Sequence, residues 1–242
     1  MILQRLYELA LREKLLDDPA FEDLPIPYLV HVGEGGEYLG FSDIRSEVTI
    51  PSKNGGEPKK ALNRGEMLRV PRAHGNTANQ GFARYFVDTL PRVLPLCVME
   101  KDQKKADASR ATFWQQMATA AEATDLPSLK ALRAFDARLE EFTERIRADV
   151  ATKDPAMTDR VTFAYQGGDG RTILQEDAIR AWYSTVYAKT NETKQTDGPV
   201  GICQVTGLVG PIPVSHATKL QGVPGGMSVG VSLISPDISS AL

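Results

Sequence analysis

The sequence predicts an α+β fold in which β-hairpins and short strands, in a mostly antiparallel or mixed sheet, pack with a helical hairpin. Three observations carry this. Aromatic and β-branched runs near the N-terminus are separated by a glycine-rich reversal. A stripe of apolar residues at helical spacing runs from Leu129 to Val150. The stretch from Gly201 to Leu242 holds seven glycines among β-branched residues and has no helical period.

The elements follow in chain order. Ile2, Leu3, Leu6, Leu9, Leu15 and Leu16 recur with helical periodicity and predict an amphipathic opening helix over Ile2 to Leu16, which Asp17, Asp18 and Pro19 end. Tyr28 to Val32 and Tyr38 to Ile44 flank G-E-G-G-E and predict a β-hairpin. Val48 to Ile50 and Glu66 to Val70 are short strand candidates, with a turn-rich loop over Pro51 to Gly65 between them. The stretch P-R-A-H-G-N-T-A-N-Q-G, from Pro71 to Gly81, is small, polar and without apolar period, so an exposed loop is expected. Phe82 to Leu96 turns apolar again, with Pro91 and Pro95 limiting any helix there.

Lys101 to Lys105 is expected as a charged connection, followed by a helix over Ala106 to Ala123. Asp125, Leu126 and Pro127 join it to a second helix over Ser128 to Val150. Arg160 to Tyr165, a turn at Gly167 to Gly170, and Arg171 to Leu174 predict a second β-hairpin. Gln175 to Lys189 is a helix with Ile179, Trp182 and Val186 on one face, and Asn191 to Pro199 is a polar linker. The expected organisation is therefore two β-rich parts, 1–100 and 159–242, about a helical hairpin at 101–150.

Composition bounds the class. With 242 residues, 42% apolar and 24% charged, the chain has ordinary globular composition and enough length to bury a core. No run approaches the roughly 20 apolar residues that span a bilayer, and the N-terminus lacks a signal-peptide pattern. Two distant cysteines, Cys97 and Cys203, suit a reduced cytoplasmic protein. Three histidines and no C-x-x-C argue against a structural zinc. No cofactor is expected.

The net charge of −3 is uneven. Between Pro51 and Arg92 lie eight basic residues (Lys53, Lys59, Lys60, Arg64, Arg69, Arg72, Arg84 and Arg92) and three acids, so this segment carries +5 and the rest −8. Such a segment suits a polyanion, or equally acids elsewhere in the protein. Within it, Lys53, Lys59, Lys60, Arg64, Arg69, Arg72 and Arg84 are candidate phosphate contacts. Asn76, Thr77, Asn79 and Gln80, on a glycine-flexed loop, are candidate base readers, since amides can meet base-edge acceptors.

Motifs for catalysis are sparse. Gly226 to Gly230 matches G-x-S-x-G, which would make Ser228 a hydrolase nucleophile. That elbow requires a following helix and a later histidine, whereas the flanking sequence is β-like and every histidine lies upstream. Neither a phosphate-binding G-x-x-x-x-G-K-[ST] loop nor a dinucleotide G-x-G-x-x-G follows a strand. A non-enzymatic protein is the expectation. A serine hydrolase and a purely structural protein–protein adaptor are the alternatives.

The C-terminal stretch is more specific. It contains C-Q-V-T-G at Cys203 to Gly207, Pro211-Ile212, His216, then Lys219-Leu220-Gln221-Gly222-Val223, Gly225, Ser228, Gly230 and Leu233-Ile234-Ser235. With the opening M-I-L-Q-R-L-Y-E-L, the V-P-R-A-H-G-N-T run and F-A-Y-Q-G-G-D-G, it resembles the large subunit of the type I-C CRISPR Cascade surveillance complex. Cys203, Thr206, Gly207, His216, Lys219, Gly222, Gly225, Ser228 and Gly230 carry the resemblance. It departs at Val214, often basic in the family, at Pro236-Asp237, usually F-N, at one extra residue between His216 and Lys219, and before Phe86, where the family's usual K-P-N run is missing. The resemblance implies the N-terminal region of a longer subunit, without its C-terminal helical bundle. It also implies a non-catalytic role in RNA-guided antiviral defence in the prokaryotic cytoplasm. That role is recognition of the protospacer-adjacent motif in double-stranded target DNA, help in opening it, and recruitment of the helicase-nuclease. The implied partners are that DNA, the helicase-nuclease, the other Cascade subunits and the 5′ end of the guide RNA, with no membrane.

Overall fold

Strand β8, Arg160–Tyr165, is where the architecture is decided, because it sits inside a four-stranded sheet and is buried on both faces. The computed structural model describes residues 2–13, 18–50, 58–73, 81–195, 200–202, 209–211, 219–220 and 231–232. Two compact units result, Asp18–Thr185 and Met1–Asp17 with Val186–Leu242. The fold class is α+β.

The larger unit opens with β1 (Phe21–Ile26), β2 (Tyr28–Val32), β3 (Tyr38–Asp43), β4 (Glu47–Ile50), β5 (Lys59–Leu62), β6 (Glu66–Pro71) and β7 (Asp88–Thr89). The predicted hairpin is present as antiparallel β2–β3, with Tyr28 opposite Asp43. Its central sheet runs β3-β2-β8-β7, in which β8 is parallel to β2 and antiparallel to β7. Two antiparallel ribbons, β1–β6 and β4–β5, complete the β part.

Helices cover this sheet. A short α2 (Leu90–Val93) leads to α3 (Glu100–Thr124), α4 (Pro127–Ala137) and α5 (Leu139–Ala151). The charged stretch Lys101 to Lys105 belongs to α3 and does not connect elements; Glu100 and Asp102 complement the positive end of its dipole. Asp125 ends it in the left-handed conformation, and Pro127 opens α4, where its missing N–H costs nothing. The single helix expected over Ser128 to Val150 is two, broken at Arg138. The apolar stripe survives the break, and Phe135 stacks on Phe142 at 5.9 Å. Phe113, Trp114 and Phe135 meet Phe163 of β8, and Trp114 Nε1 donates to the Val93 carbonyl at 3.1 Å. This aromatic cluster is the core.

The second hairpin is not formed. Only an isolated bridge joins Ala164 to Thr172, and Ile173–Gln175 winds into a 3₁₀ turn that buries Ile173 and Leu174. Helix α6 (Asp177–Gln195) follows and extends through much of the expected linker. In the smaller unit α1 (Ile2–Arg12) precedes two short antiparallel pairs, β9 (Val200–Ile202) with β10 (Val209–Pro211), and β11 (Lys219–Leu220) with β12 (Val231–Ser232). No helix among the described residues is long and apolar enough to cross a membrane.

Candidate nucleic-acid interface

Strand alternation presents β5 as a basic ribbon edge. Lys59 and Lys60 point to opposite faces, and both are exposed. Lys60 Nζ lies 3.3 Å from Glu47 across the ribbon, an exposed pair of little energetic weight. Lys59 has no acidic partner among the described residues.

After β5 the chain turns through Asn63, Arg64 and Gly65. Asn63 Oδ1 accepts the N–H groups of Ser46 at 3.1 Å and Gly65 at 2.9 Å, and its Nδ2 donates to Ser46 Oγ at 2.9 Å. Gly65 has φ +106°, and a Cβ there would overlap the Ile26 carbonyl and the Pro27 nitrogen. Only glycine allows this conformation together with so close an approach. The turn is thus clamped on the β1–β2 junction, which places Arg64 beside Pro25 and Pro27. Arg45 and Arg160 reach the same cleft of about 270 Å³, whose lining also includes Asn63, Thr158 and Asp159.

Arg45 is committed within the fold. Its Nε and Nη2 donate to Asp43 at 2.9 and 2.7 Å, and its guanidinium lies 4.9 Å from the Tyr28 ring centre. These hydrogen bonds hold the Asp43 carboxyl below its ordinary range. Tyr28 itself stacks on Phe41, and its hydroxyl is buried without a hydrogen-bond partner among the described residues; burial pushes that hydroxyl up to about 12. Arg160 differs from Arg45. Neither its side chain nor that of Arg64 makes an ion pair or hydrogen bond among the described residues. Burial, and then the charge of Arg84, lower the Arg160 guanidinium from its ordinary value, against the opposing pull of Asp88, Glu22 and Asp159.

Three of the predicted phosphate contacts are engaged in holding the fold. Arg72 donates to the carbonyls of Pro19 at 3.0 Å and Phe21 at 3.1 Å. Arg84 pairs with Glu22 at 2.6 Å, with only 14% of its side chain exposed. Arg69 reaches the Asp18 carbonyl at 3.4 Å and lies over the Phe21 ring. These contacts tie β1 to β6 and to the segment before β7. Lys53, Asn76, Thr77, Asn79 and Gln80 lie outside the described residues. So do Cys203, Thr206, Gly207, His216, Gly222, Gly225, Ser228 and Gly230; Lys219 lies on β11, opposite Ser232. Sequence reasoning missed Arg45 and Arg160, which lie outside the basic window and carry no local signal of their position.

A histidine–serine contact does occur among the described residues, and it involves neither Ser228 nor His216. His31 Nε2 and Ser42 Oγ are 2.8 Å apart across β2–β3, and His31 Nδ1 lies 2.9 Å from Gln166 Nε2. As assigned, the Gln166 amide donates to Nδ1, so the ring proton sits on Nε2 and is donated to Ser42. Burial lowers the His31 pKa, which also favours the neutral ring. A ring already protonated toward the hydroxyl cannot act as its base. The contact pins two strands.

A family model described as CRISPR-associated protein (Cas_Csd1) matches residues 3–241 of the chain. No curated protein matches it.

Proposed function

The chain belongs to the family of CRISPR-associated proteins described as Cas_Csd1, and on that premise we propose that it is a non-catalytic, nucleic-acid-binding subunit of a type I-C Cascade complex. Family membership supports a role in a Cascade-type assembly, with other Cascade subunits as partners. In the proposed role the subunit recognises the protospacer-adjacent motif in duplex DNA, helps open the target and recruits the helicase-nuclease. Guide RNA would supply the sequence reading by base pairing, as in other RNA-guided effectors.

The family match over nearly the whole chain carries this reading. The exposed Lys59, Lys60 and Arg64 on one ribbon and its following turn support it, since phosphate contacts position a protein on a duplex without reading sequence. The loop bearing Asn76, Asn79 and Gln80 is the proposed reader.

The test is target binding by the assembled complex across a salt series. Lys59→Gln with Lys60→Gln should weaken binding to every duplex alike and flatten its salt dependence. Asn76, Asn79 and Gln80 changed to Ala should instead equalise targets with and without the flanking motif. Unchanged discrimination would remove this loop as the reader. A structural adaptor is the second reading, favoured by the exposed Val48 and Leu62 on the same ribbon and Met67 on β6. Salt-insensitive target binding after the lysine changes would select it.

A further inference from the structure

We infer that the cleft between the β5–β6 turn and the start of β8 is a site for one phosphodiester of a nucleic-acid backbone. The inference rests on the nucleic-acid reading above and extends it to residues on β8 that no charge window includes.

The lining sets the ligand class. At about 270 Å³ the cleft falls below the roughly 300–1,000 Å³ of drug-sized pockets. Its walls are polar apart from Pro25 and Pro27, which are conformationally stiff. Such a site suits a small polar group.

The charges decide which one. Arg64 and Arg160 bring two guanidinium groups with no direct ion pair among the described residues; Asp88 and Glu22, whose charges reach Arg160, are paired with Arg92 and Arg84. Arg45 is neutralised by Asp43 at 2.7 Å. Asp159 adds one negative charge, with Oδ2 accepting the Ala156 N–H at 3.0 Å. The sum is +1, which complements the single charge of a phosphodiester. A free or terminal phosphate, about −1.5 to −2 at neutral pH, would be left under-compensated. The planar guanidinium fork also fits two phosphate oxygens at once.

The site is prebuilt. Asn63 fixes the turn by three hydrogen bonds, and Gly65 locks it on Pro27, so Arg64 arrives on a rigid support. Arg160 begins β8, whose register with β2 is set over five residue pairs. A half-buried arginine with no direct ion pair is costly in the free protein, and the charges of Asp88, Glu22 and Asp159 offset only part of that cost, since burial still lowers its pKa. An incoming phosphate would relieve that cost.

The experiment uses the full chain assembled with its sibling subunits and guide RNA, and duplexes of two unrelated sequences that share the flanking motif. Arg64→Gln should lower the magnitude of the log–log salt slope by about 0.9, which corresponds to an affinity loss of about eightfold at 0.1 M salt. The loss should be equal for both sequences. Arg160→Gln should act alike, and the double variant should lose no further contact, because both guanidiniums serve one phosphate. Arg64 is exposed, so its variant tests the site even if Arg160→Gln folds poorly. An Arg64→Gln complex with wild-type affinity and slope, in a background where Lys59→Gln and Lys60→Gln weaken binding, overturns the cleft and leaves the nucleic-acid reading standing. A wild-type complex with no salt-dependent duplex binding overturns both. Inorganic phosphate is the second probe. Thermal protection by millimolar phosphate of wild type but not of Arg64→Gln would reassign the cleft to free phosphate and overturn the phosphodiester assignment.

Discussion

Gly65→Ala should cost the larger unit much of its stability, for two separable reasons. The first is conformational. At φ +106° a residue with a Cβ lies outside the allowed regions, at a cost of about 1–3 kcal/mol. The second is steric. The new methyl would overlap the Ile26 carbonyl and the Pro27 nitrogen, both of them backbone atoms that cannot swing aside. Overpacking of this kind costs about 1–3 kcal/mol. Alanine also restricts the unfolded chain, which returns about 0.4–1 kcal/mol. The net is a loss of about 2–5 kcal/mol. For a unit of this size, each kcal/mol moves the melting midpoint by about 2–4 °C. A drop of about 4–20 °C is expected.

Two other glycines separate the causes. Gly81 has φ +75°, but its nearest Cβ neighbour among the described residues would be Thr112 Oγ1 at 3.8 Å, so Gly81→Ala meets strain without overlap among them. Gly168 has an ordinary φ, and its nearest neighbour is the Tyr165 ring at 3.8 Å. Gly168→Ala should be near neutral, Gly81→Ala intermediate and Gly65→Ala worst, as read by urea denaturation with unchanged slope. If Gly65→Ala melts within a degree of wild type, the clamp on Pro27 does not exist, and Arg64 is not held where the cleft requires it.

Two further outcomes follow from buried polar groups. The His31 pKa is lowered from its ordinary 6.5, so near and below pH 6.5 the unfolded state binds more protons than the folded state. Stability should therefore be full above pH 6.5 and fall as pH drops below it, levelling off once folded His31 is also protonated. His31→Gln should remove this part of the slope, and parallel wild-type and variant curves between pH 7.5 and 5 would contradict it. Tyr28→Phe should be neutral or stabilising by up to about 1 kcal/mol in chemical denaturation, because it deletes a buried hydroxyl with no partner and keeps the stack on Phe41. A loss above 1 kcal/mol would mean that the hydroxyl is bonded in solution.

Local chemistry made some elements legible and left others hidden. The β2–β3 hairpin and helices α3 and α6 follow from turn residues and apolar spacing, which act within a few residues. Strand β1 was invisible because Phe21–Ile26 carries two acids and Pro25 and does not alternate; a proline is tolerated there because β1 pairs on one side only, with β6. The parallel pairing of β8 with β2 joins distant segments, so no window contains it. The break at Arg138 has neither glycine nor proline to mark it. Ile173 and Leu174 resemble a returning strand, but tertiary burial uses both on one short turn, which alternation does not require.

The same limit governs charge, and it fixes the expected salt dependence. Eight cations between Pro51 and Arg92 would give a log–log slope near −7 if each met a phosphate of duplex DNA. Arginine, however, carries five donors that backbone carbonyls can occupy, and carboxylates elsewhere in the chain can claim the charge. Arg72 is held by Pro19 and Phe21, Arg84 by Glu22, Arg92 by Asp88 and Arg69 by the β1 end. Of the described residues in that window, Lys59, Lys60 and Arg64 remain available, and the fold adds Arg160 from β8. If the two arginines share one phosphate, these four cations make three contacts and a slope near −2.7, and Lys53 would add at most one more. If neutralising the cations of this window together with Arg160 lowers the magnitude of the slope by more than about 4, the fold-holding arginines must leave their partners, and the assignment of Arg72 and Arg84 as structural is refuted.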